Sequence, residues 1–247
     1  MIRNNFQFGR MDKYSHAIGG TYSEVVVDEI INHKIYEKFY SVSEGDLVID
    51  VGANVGVFTE SIMRRNPSHV YCLEPHLEYF EILSENMKIY PNVTCLNIAI
   101  GNVVGKVDCD DLMGSVFSAE CTTWENFIDL HGIGHVNFLK MDAEGAEYDI
   151  IRPDNYLDVF NRVDYIVAEY HLENGRRGST SKNIMNGNSN FSLFRDFLLG
   201  KMRKYKLYSL CGSDLRWMMS LPTTVFTDHF LNRFTEVMLH IDTKNAF

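Results

Sequence analysis

No stretch of this sequence stays apolar for the roughly 20 residues that a membrane-spanning helix needs, which removes helical membrane proteins from the expectations. The opening "MIRNNFQFGRMDKY" is polar and offers no apolar signal core. A cytoplasmic protein with no membrane contact is therefore expected. Basic residues are in deficit: 23 Lys and Arg stand against 33 Asp and Glu, a net charge of -10. Wide, non-specific contact with nucleic acid or anionic lipid rewards basic surface, so nucleic acid is not the expected partner. The densest basic run, "KMRKYK" at 201–206, reads as a solvated helix end. Metal-type cysteine spacing is missing too. Five cysteines, an odd count, show no C-x-x-C, which suits free thiols in a reducing compartment. Cys72 and Cys95 sit inside apolar runs and read as small core residues. His131 and His135 are four apart, but Gly132 and Gly134 interrupt any helix that could present them together to zinc.

What is present is alternation. Short apolar runs occur at 47–51, 69–74, 93–100, 136–142 and 164–170. Helical patterns lie at 57–65, 76–89, 123–131, 146–152 and 190–204, and "YSEVVVDEIINHKIYEKFY" (22–40) reads as an amphipathic helix ahead of the first strand. Runs rich in Val and Ile and apolar on both faces suit a parallel sheet covered on both sides, and strand-helix alternation predicts a doubly wound α/β fold. Two late runs, at 206–211 and 235–241, are expected to pair antiparallel at one edge. No internal repeat and no linker divides the chain, so residues 1–247 are read as a single domain. The polar stretch 172–190, full of Gly, Ser and Asn, is read as a long functional loop.

The first strand ends "VIDVGANVG". In an open parallel sheet, ligands sit beyond the carboxyl ends of the strands where strand order reverses, so Asp50, Gly52, Asn54 and Gly56 are expected at a ligand. The dinucleotide fingerprint wants glycines at its first, third and sixth positions. Counted from Gly52, this chain offers Gly52, Asn54 and Val57. A pyrophosphate would also be repelled by Asp50, Asp142 and Glu144, whereas a ligand carrying a sulfonium and an ammonium would be attracted. That ligand is S-adenosylmethionine. Glu74, closing "YCLEP", is placed to accept hydrogen bonds from both ribose hydroxyls. Asn97, Ile98 and Ala99 at the end of the third run are placed to border the adenine.

These stretches, "VIDVGANVGVFT", "CLEP", "NIAIG", "TTWENF" and "LKMDAEGAE", stand in an order that resembles the FkbM-like family of S-adenosylmethionine-dependent methyltransferases, over roughly residues 40–172. The resemblance implies the class I methyltransferase sheet: seven strands, mostly parallel, with the last antiparallel. It also implies that Asp50, Gly52, Asn54, Gly56 and Thr59 lie on the loop at the methionine end, Glu74 at the ribose and Asp142 near the reactive methyl.

Amino-methylating enzymes that act on bases typically carry Asn/Asp-Pro-Pro-aromatic after the fourth strand; here that place reads "MDAEGAE". The expected reaction is O-methylation of a small hydroxylated acceptor, such as a sugar, a glycan unit or a secondary metabolite. Asp142 and Glu144 lie beyond one strand and Glu169 and His171 beyond the next, so these groups are expected to converge on the acceptor. His171 is the first candidate base, since a free imidazole titrates near neutral pH. Asp142, Glu169 and His171 also suit a divalent ion such as magnesium; their spacing is no metal motif, and polar strand ends are the plainer reading. Ser115 is a further candidate contact to the acceptor or the cofactor carboxylate, and Arg176 and Arg177 are candidates to grip an acidic substrate group. The alternatives are a nicotinamide-dependent oxidoreductase and a non-catalytic nucleoside-binding module.

Overall fold

The computed structural model describes residues 2–9, 21–110, 115–172, 190–195, 205–209, 214–215 and 236–245. Its frame is a seven-stranded sheet built from β1 (Leu47–Val51), β2 (His69–Leu73), β3 (Val93–Leu96), β7 (Val136–Met141), β8 (Val163–His171), β9 (Tyr205–Ser209) and β10 (Glu236–Asp242), in the order β3-β2-β1-β7-β8-β10-β9. The first five run parallel, and β10 pairs antiparallel with both β8 and β9. This is the expected doubly wound α/β arrangement, with the last strand reversed. The late runs do pair antiparallel, although β10 lies inside the sheet and β9 takes the edge.

Alternation along β1 shows why the sheet is covered on both faces. Ile49 and Val51 join a core with α4 (Trp124–Leu130), α5 (Glu147–Ile150) and α6 (Tyr156–Arg162). Val48 points the other way, into a core with α2 (Val57–Ile62) and α3 (Leu77–Met87). Val48 and Ile49 are both fully buried, and burial of each such side chain contributes roughly 1.5–3 kcal/mol. Asp50 shares the Val48 face. Its carboxylate therefore enters the protein instead of solvent, and needs partners there.

Several elements differ from the sequence reading. The stretch 22–40 is not one helix. It begins as α1 (Tyr22–Val27), capped reciprocally by Thr21 and Glu24, loosens into a π turn over Asp28–Asn32, and stops at Lys34 in the left-handed region with φ 51°. The β-branched run Val25-Val26-Val27 carries little helix propensity, and the left-handed residue reverses the chain into a 3-10 turn at Ile35–Glu37. The run 93–100 breaks at Asn97, after which β4 (Ala99–Gly101) leaves for a second sheet with β5 (Gly105–Asp110) and β6 (Val116–Thr123), ordered β4-β6-β5. That sheet was not anticipated, nor was α6. Helical structure starts at residue 190 as expected, and the loop 172–190 lies outside the described residues apart from its two ends. No described helix is long and apolar enough to cross a membrane.

Candidate functional site

Strand order reverses between β1 and β7, so the carboxyl ends of these strands open the crevice where a ligand can sit. Gly52 turns the chain there with φ 71°. A Cβ at this position would stand 1.8 Å from the carbonyl oxygen of Asp142, so the two strand-end turns touch backbone to backbone. The amides of Gly52 and Ala53 both donate to the Leu73 carbonyl, at 2.9 and 3.0 Å. Asn54 is left-handed at φ 51°, and its side-chain oxygen accepts from the Val55 amide at 2.7 Å. Gly56, at φ 92°, packs where a Cβ would press on Leu83 and Met87.

Behind this turn lies a buried charge network. Asp50 accepts from Thr59 Oγ1 at 2.8 Å and faces Lys140 Nζ at 3.1 Å. The Lys140 ammonium also donates to the Gly52 carbonyl at 2.7 Å and lies 3.7 Å from Asp142 Oδ2. Burial alone would lower the lysine pKa, but Asp50 and Asp142 outweigh it and hold the value above the ordinary one.

In front of the turn is a cavity of about 490 Å³, whose walls include Gly52, Asn54, Glu74, Ile98, Ala99 and Phe117. Glu74 is nearly buried. One oxygen accepts from the Asn54 amide at 2.8 Å and the other from the His76 amide at 2.9 Å. Burial pushes its pKa up to about 7; the two amides and Lys140 pull downward but do not win. The unforeseen small sheet supplies the opposite wall, through Val107 and Phe117.

The cavity lining is also acidic. Asp142 and Glu144 belong to it, and Tyr36, from the N-terminal 3-10 turn, donates its hydroxyl to Asp142 Oδ2 at 2.7 Å. The same hydroxyl is 3.5 Å from Glu169 Oε2, and its ring covers Lys140, with Nζ 5.1 Å from the ring centre. His171 sits among carboxylates: Nδ1 lies 3.2 Å from Glu147, and Nε2 lies 3.1 Å from Glu144, 3.8 Å from Asp142 and 4.0 Å from Glu169. Glu147 also accepts from the amides of Ala143, at 2.6 Å, and Gly145, at 3.0 Å, which fixes the "DAEG" turn. Burial lowers the imidazole pKa, but Glu144 and Glu147 more than reverse this and hold it well above its ordinary value. Burial and the Asp142 charge push Glu169 well above the carboxylate range.

The expected residues thus divide. Gly52, Asn54, Glu74, Ile98, Ala99, Asp142 and Glu144 line the cavity. Asp50, Gly56 and Thr59 lie behind its wall, where Asp50 and Thr59 are fully buried and bonded to one another. Asn97 turns away as well; its amide nitrogen donates to the Glu74 and Pro75 carbonyls, at 2.9 and 3.0 Å. These four are not among the residues that line the cavity. Glu169 and His171 do join Asp142, so that one ligand atom from each lies within 4.8 Å of the others. The ring of acids holds the His171 imidazole well above its ordinary value, which favours its charged form and weighs against the neutral base expected from the sequence. Ser115 is exposed ahead of β6 and is not on the cavity wall. Arg176 and Arg177 lie outside the described residues. The sequence reading missed Lys140, Tyr36 and Glu147. Lys140 left a signal, a lone charge within the strand "VNFLKM"; Tyr36, 11 residues ahead of β1, left none.

A family model described as the methyltransferase FkbM domain matches residues 50–207. Two curated relatives are similar over shorter stretches, and both are named ribosomal RNA small subunit methyltransferase A. The one from Sulfurihydrogenibium sp. strain YO3AOP1 is 32% identical over 69 residues, 28% of this chain and 23% of the relative. The one from Alkaliphilus oremlandii strain OhILAs is 34% identical over 85 residues, 34% of this chain and 28% of the relative. The match therefore spans only about a quarter of those relatives' length. Among solved structures, the FkbM methyltransferase from Methylobacillus flagellatus KT aligns over 83% of this chain and 46% of its own, with 13% identity and a TM-score of 0.46. A SAM-dependent methyltransferase from Aquifex aeolicus aligns over 96% and 100%, with 12% identity and a TM-score of 0.45. Likenesses this loose say nothing of substrate.

Proposed function

The chain belongs to the FkbM methyltransferase family, and on that premise we propose that it moves the methyl group of S-adenosylmethionine to a hydroxyl of a small acceptor, a sugar, glycan unit or secondary metabolite. The observation that carries this reading is the cavity lining, which holds the buried Glu74 carboxylate beside the Gly52–Asn54 turn together with the Asp142 and Glu144 carboxylates. Its volume and donor set fit a nucleoside bearing a sulfonium. Glu74 takes the ribose hydroxyls, Ile98 and Ala99 border the adenine, and the Gly52–Asn54 turn receives the amino-acid end. Bound there, the cofactor supplies an electrophilic methyl; the protein's tasks are to align the acceptor and exclude water.

A hydroxyl acceptor must also lose its proton. Asp142 is the group placed to hold that hydroxyl, because it opens on the cavity while Tyr36 fixes its second oxygen. Glu169 stands next to it across the Tyr36 hydroxyl, and His171 acts as counter-charge to the acids around it. A second reading of the same corner is favoured by the convergence of Asp142, Glu169 and His171 within 4.8 Å. A divalent ion such as magnesium held by these three would lower the hydroxyl pKa directly. Full turnover in chelator selects the first reading; loss of turnover that magnesium restores selects the second.

The acids also argue against RNA as the acceptor, since phosphates would meet Asp142 and Glu144 in a chain of net charge -10. Calorimetry with S-adenosylmethionine, S-adenosylhomocysteine and NAD, each alone, tests the premise. Binding of the two sulfur nucleosides without NAD supports it, and binding of NAD alone removes it in favour of an oxidoreductase. Transfer of labelled methyl to hydroxylated acceptors, set beside ribosomal RNA, then tests the acceptor class. Cofactor binding with no turnover on any of them would leave the binding-module alternative.

A further inference from the structure

Two thiols outside the cavity stand in an arrangement that the methyl-transfer reading does not use. Cys72 on β2 and Cys95 on β3 are in-register partners on adjacent parallel strands. Neighbouring strands lie about 4.8 Å apart, inside the span of about 4.4–6.8 Å between Cα atoms that a disulfide bridges. Both side chains point into the core that α2 and α3 cover. Cys72 is fully buried, whereas Cys95 is half-buried and within reach of a small oxidant. Cys109 and Cys121 make no comparable pair. They lie opposite Phe117 and Gly105 on the β5–β6 ladder, four rungs apart.

We propose that Cys72 and Cys95 are a redox modification site, which a hydroperoxide converts to a reversible disulfide that loosens the cofactor cavity. The neighbouring Cys72 thiol holds the Cys95 pKa below the ordinary thiol value, while burial raises that of Cys72, and Cys95 is the more exposed of the two. Cys95 is therefore the sulfur that reacts first. Its thiolate attacks the peroxide oxygen, the O–O bond breaks, and the leaving alkoxide or hydroxide takes up a proton, leaving Cys95 as a sulfenic acid. The Cys72 sulfur then attacks the Cys95 sulfur. The S–O bond breaks, and the departing hydroxide leaves as water with the Cys72 proton. Two electrons pass from the sulfurs to the hydroperoxide, and no further reactant is needed.

The site hears of this bond along two short routes. Cys72 Sγ is 3.2 Å from Thr59 Oγ1, which donates to Asp50, the partner of Lys140. A sulfur drawn toward β3 leaves that hydroxyl. Two residues further on, β2 delivers Glu74 and β3 delivers Asn97, whose amide holds the Glu74 and Pro75 carbonyls. A covalent link just below them changes how the two strand ends sit. This consequence for the cofactor rests on the proposed function; the disulfide itself does not.

The experiment treats the full chain with hydrogen peroxide, follows intact mass and cysteine-linked peptides, and measures S-adenosylhomocysteine binding by calorimetry before oxidation, after it, and after dithiothreitol. The expected result is a loss of about 2 Da that dithiothreitol reverses and a Cys72–Cys95 linked peptide. Affinity should fall by roughly tenfold, a usual size for coupling between sites. Cys95→Ser should bind the nucleoside like the reduced protein and keep that affinity in peroxide. Oxidation confined to Cys95 as sulfinic acid, or a link through Cys109, Cys121 or Cys211, would overturn the modification site. A Cys72–Cys95 link that leaves affinity unchanged would overturn the regulatory half. A link formed in a protein that never binds the nucleoside would instead sink the proposed function and leave the thiol pair standing.

Discussion

Lys140 Nζ stands 3.1 Å from Asp50 Oδ1 with neither group open to solvent. This pair joins the last turns of two neighbouring strands, because the same ammonium also holds the carbonyl of Gly52 and faces Asp142. The cavity therefore rests on a charge network set behind the Gly52 turn, with Asp142 as the member that also lines it. Removing one partner leaves a buried charge without compensation, which costs far more than the net value of the pair.

Lys140→Met is accordingly expected to destabilise the protein by about 3–5 kcal/mol, because Asp50 stays buried with Thr59 as its remaining partner. Urea unfolding followed by circular dichroism measures this. The double change Lys140→Met with Asp50→Asn should recover a large part of the loss. A single mutant as stable as the parent would show that the pair does not hold the two turns.

Gly52→Ala tests the contact of the turns themselves. A Cβ there would meet the Asp142 carbonyl at 1.8 Å, and the residue is left-handed as well. The turns must separate, which should weaken S-adenosylhomocysteine binding by roughly a hundredfold, as expected when a displacement near 1 Å misaligns a site. Calorimetry gives the answer, and near-parental affinity would mean that the Gly52 turn does not form part of the cofactor site.

Much of this was legible in the sequence, and the boundary between what was and was not is physical. Strands such as Leu47–Val51 are buried on both faces, so their apolar runs mark them plainly. Gly52 and Glu74 are legible because a turn at a strand end and an acid on the next strand are local features. The small sheet was missed because β5 and β6 are half-exposed, with a mixed pattern that an apolar-run reading passes over. Asp50 was read as facing the ligand, whereas the side-chain alternation of β1 turns it inward to Lys140. The base expected at His171 rests on the ordinary imidazole pKa, whereas Glu144 and Glu147 beside it hold that value well above the ordinary one. The meeting of Asp142, Glu144, Glu169 and His171 follows from two neighbouring strand ends, but Glu147 on the imidazole, at 3.2 Å, left no local signal.

Glu74 gives a pH dependence whose sign can be worked out. Its folded pKa is raised to about 7, above the ordinary carboxylate value of 4.5. Between those values the folded state holds a proton that the unfolded state has lost, so this group's contribution to stability falls as pH rises from 4.5 to about 7. Cofactor binding runs the other way. Only the ionised carboxylate accepts both ribose hydroxyls, so affinity should rise as pH rises toward 7 and level off above it. Well below that value, each pH unit should cost about tenfold. Calorimetric titrations from acid to mildly alkaline pH check this, and Glu74→Gln should bind weakly with a flat profile. A parental profile that is already flat would remove Glu74 from the ribose.

A change at Tyr36 tests the proposed acceptor contact separately from cofactor binding. Its hydroxyl reaches both Asp142 and Glu169, and it comes from a segment ahead of the residues that match the family model. Tyr36→Phe keeps the ring over Lys140 and its edge contact with Phe58, and removes only the donor. Two partly buried carboxyls then lose a shared hydrogen bond, which should cost about 1–3 kcal/mol in urea unfolding. S-adenosylhomocysteine affinity should stay near the parental value, since the nucleoside walls are untouched. Turnover on an active acceptor should fall through kcat, because Asp142 no longer has a fixed orientation for the hydroxyl it holds. Loss of cofactor affinity with unchanged kcat would reverse this assignment and place Tyr36 at the methyl donor.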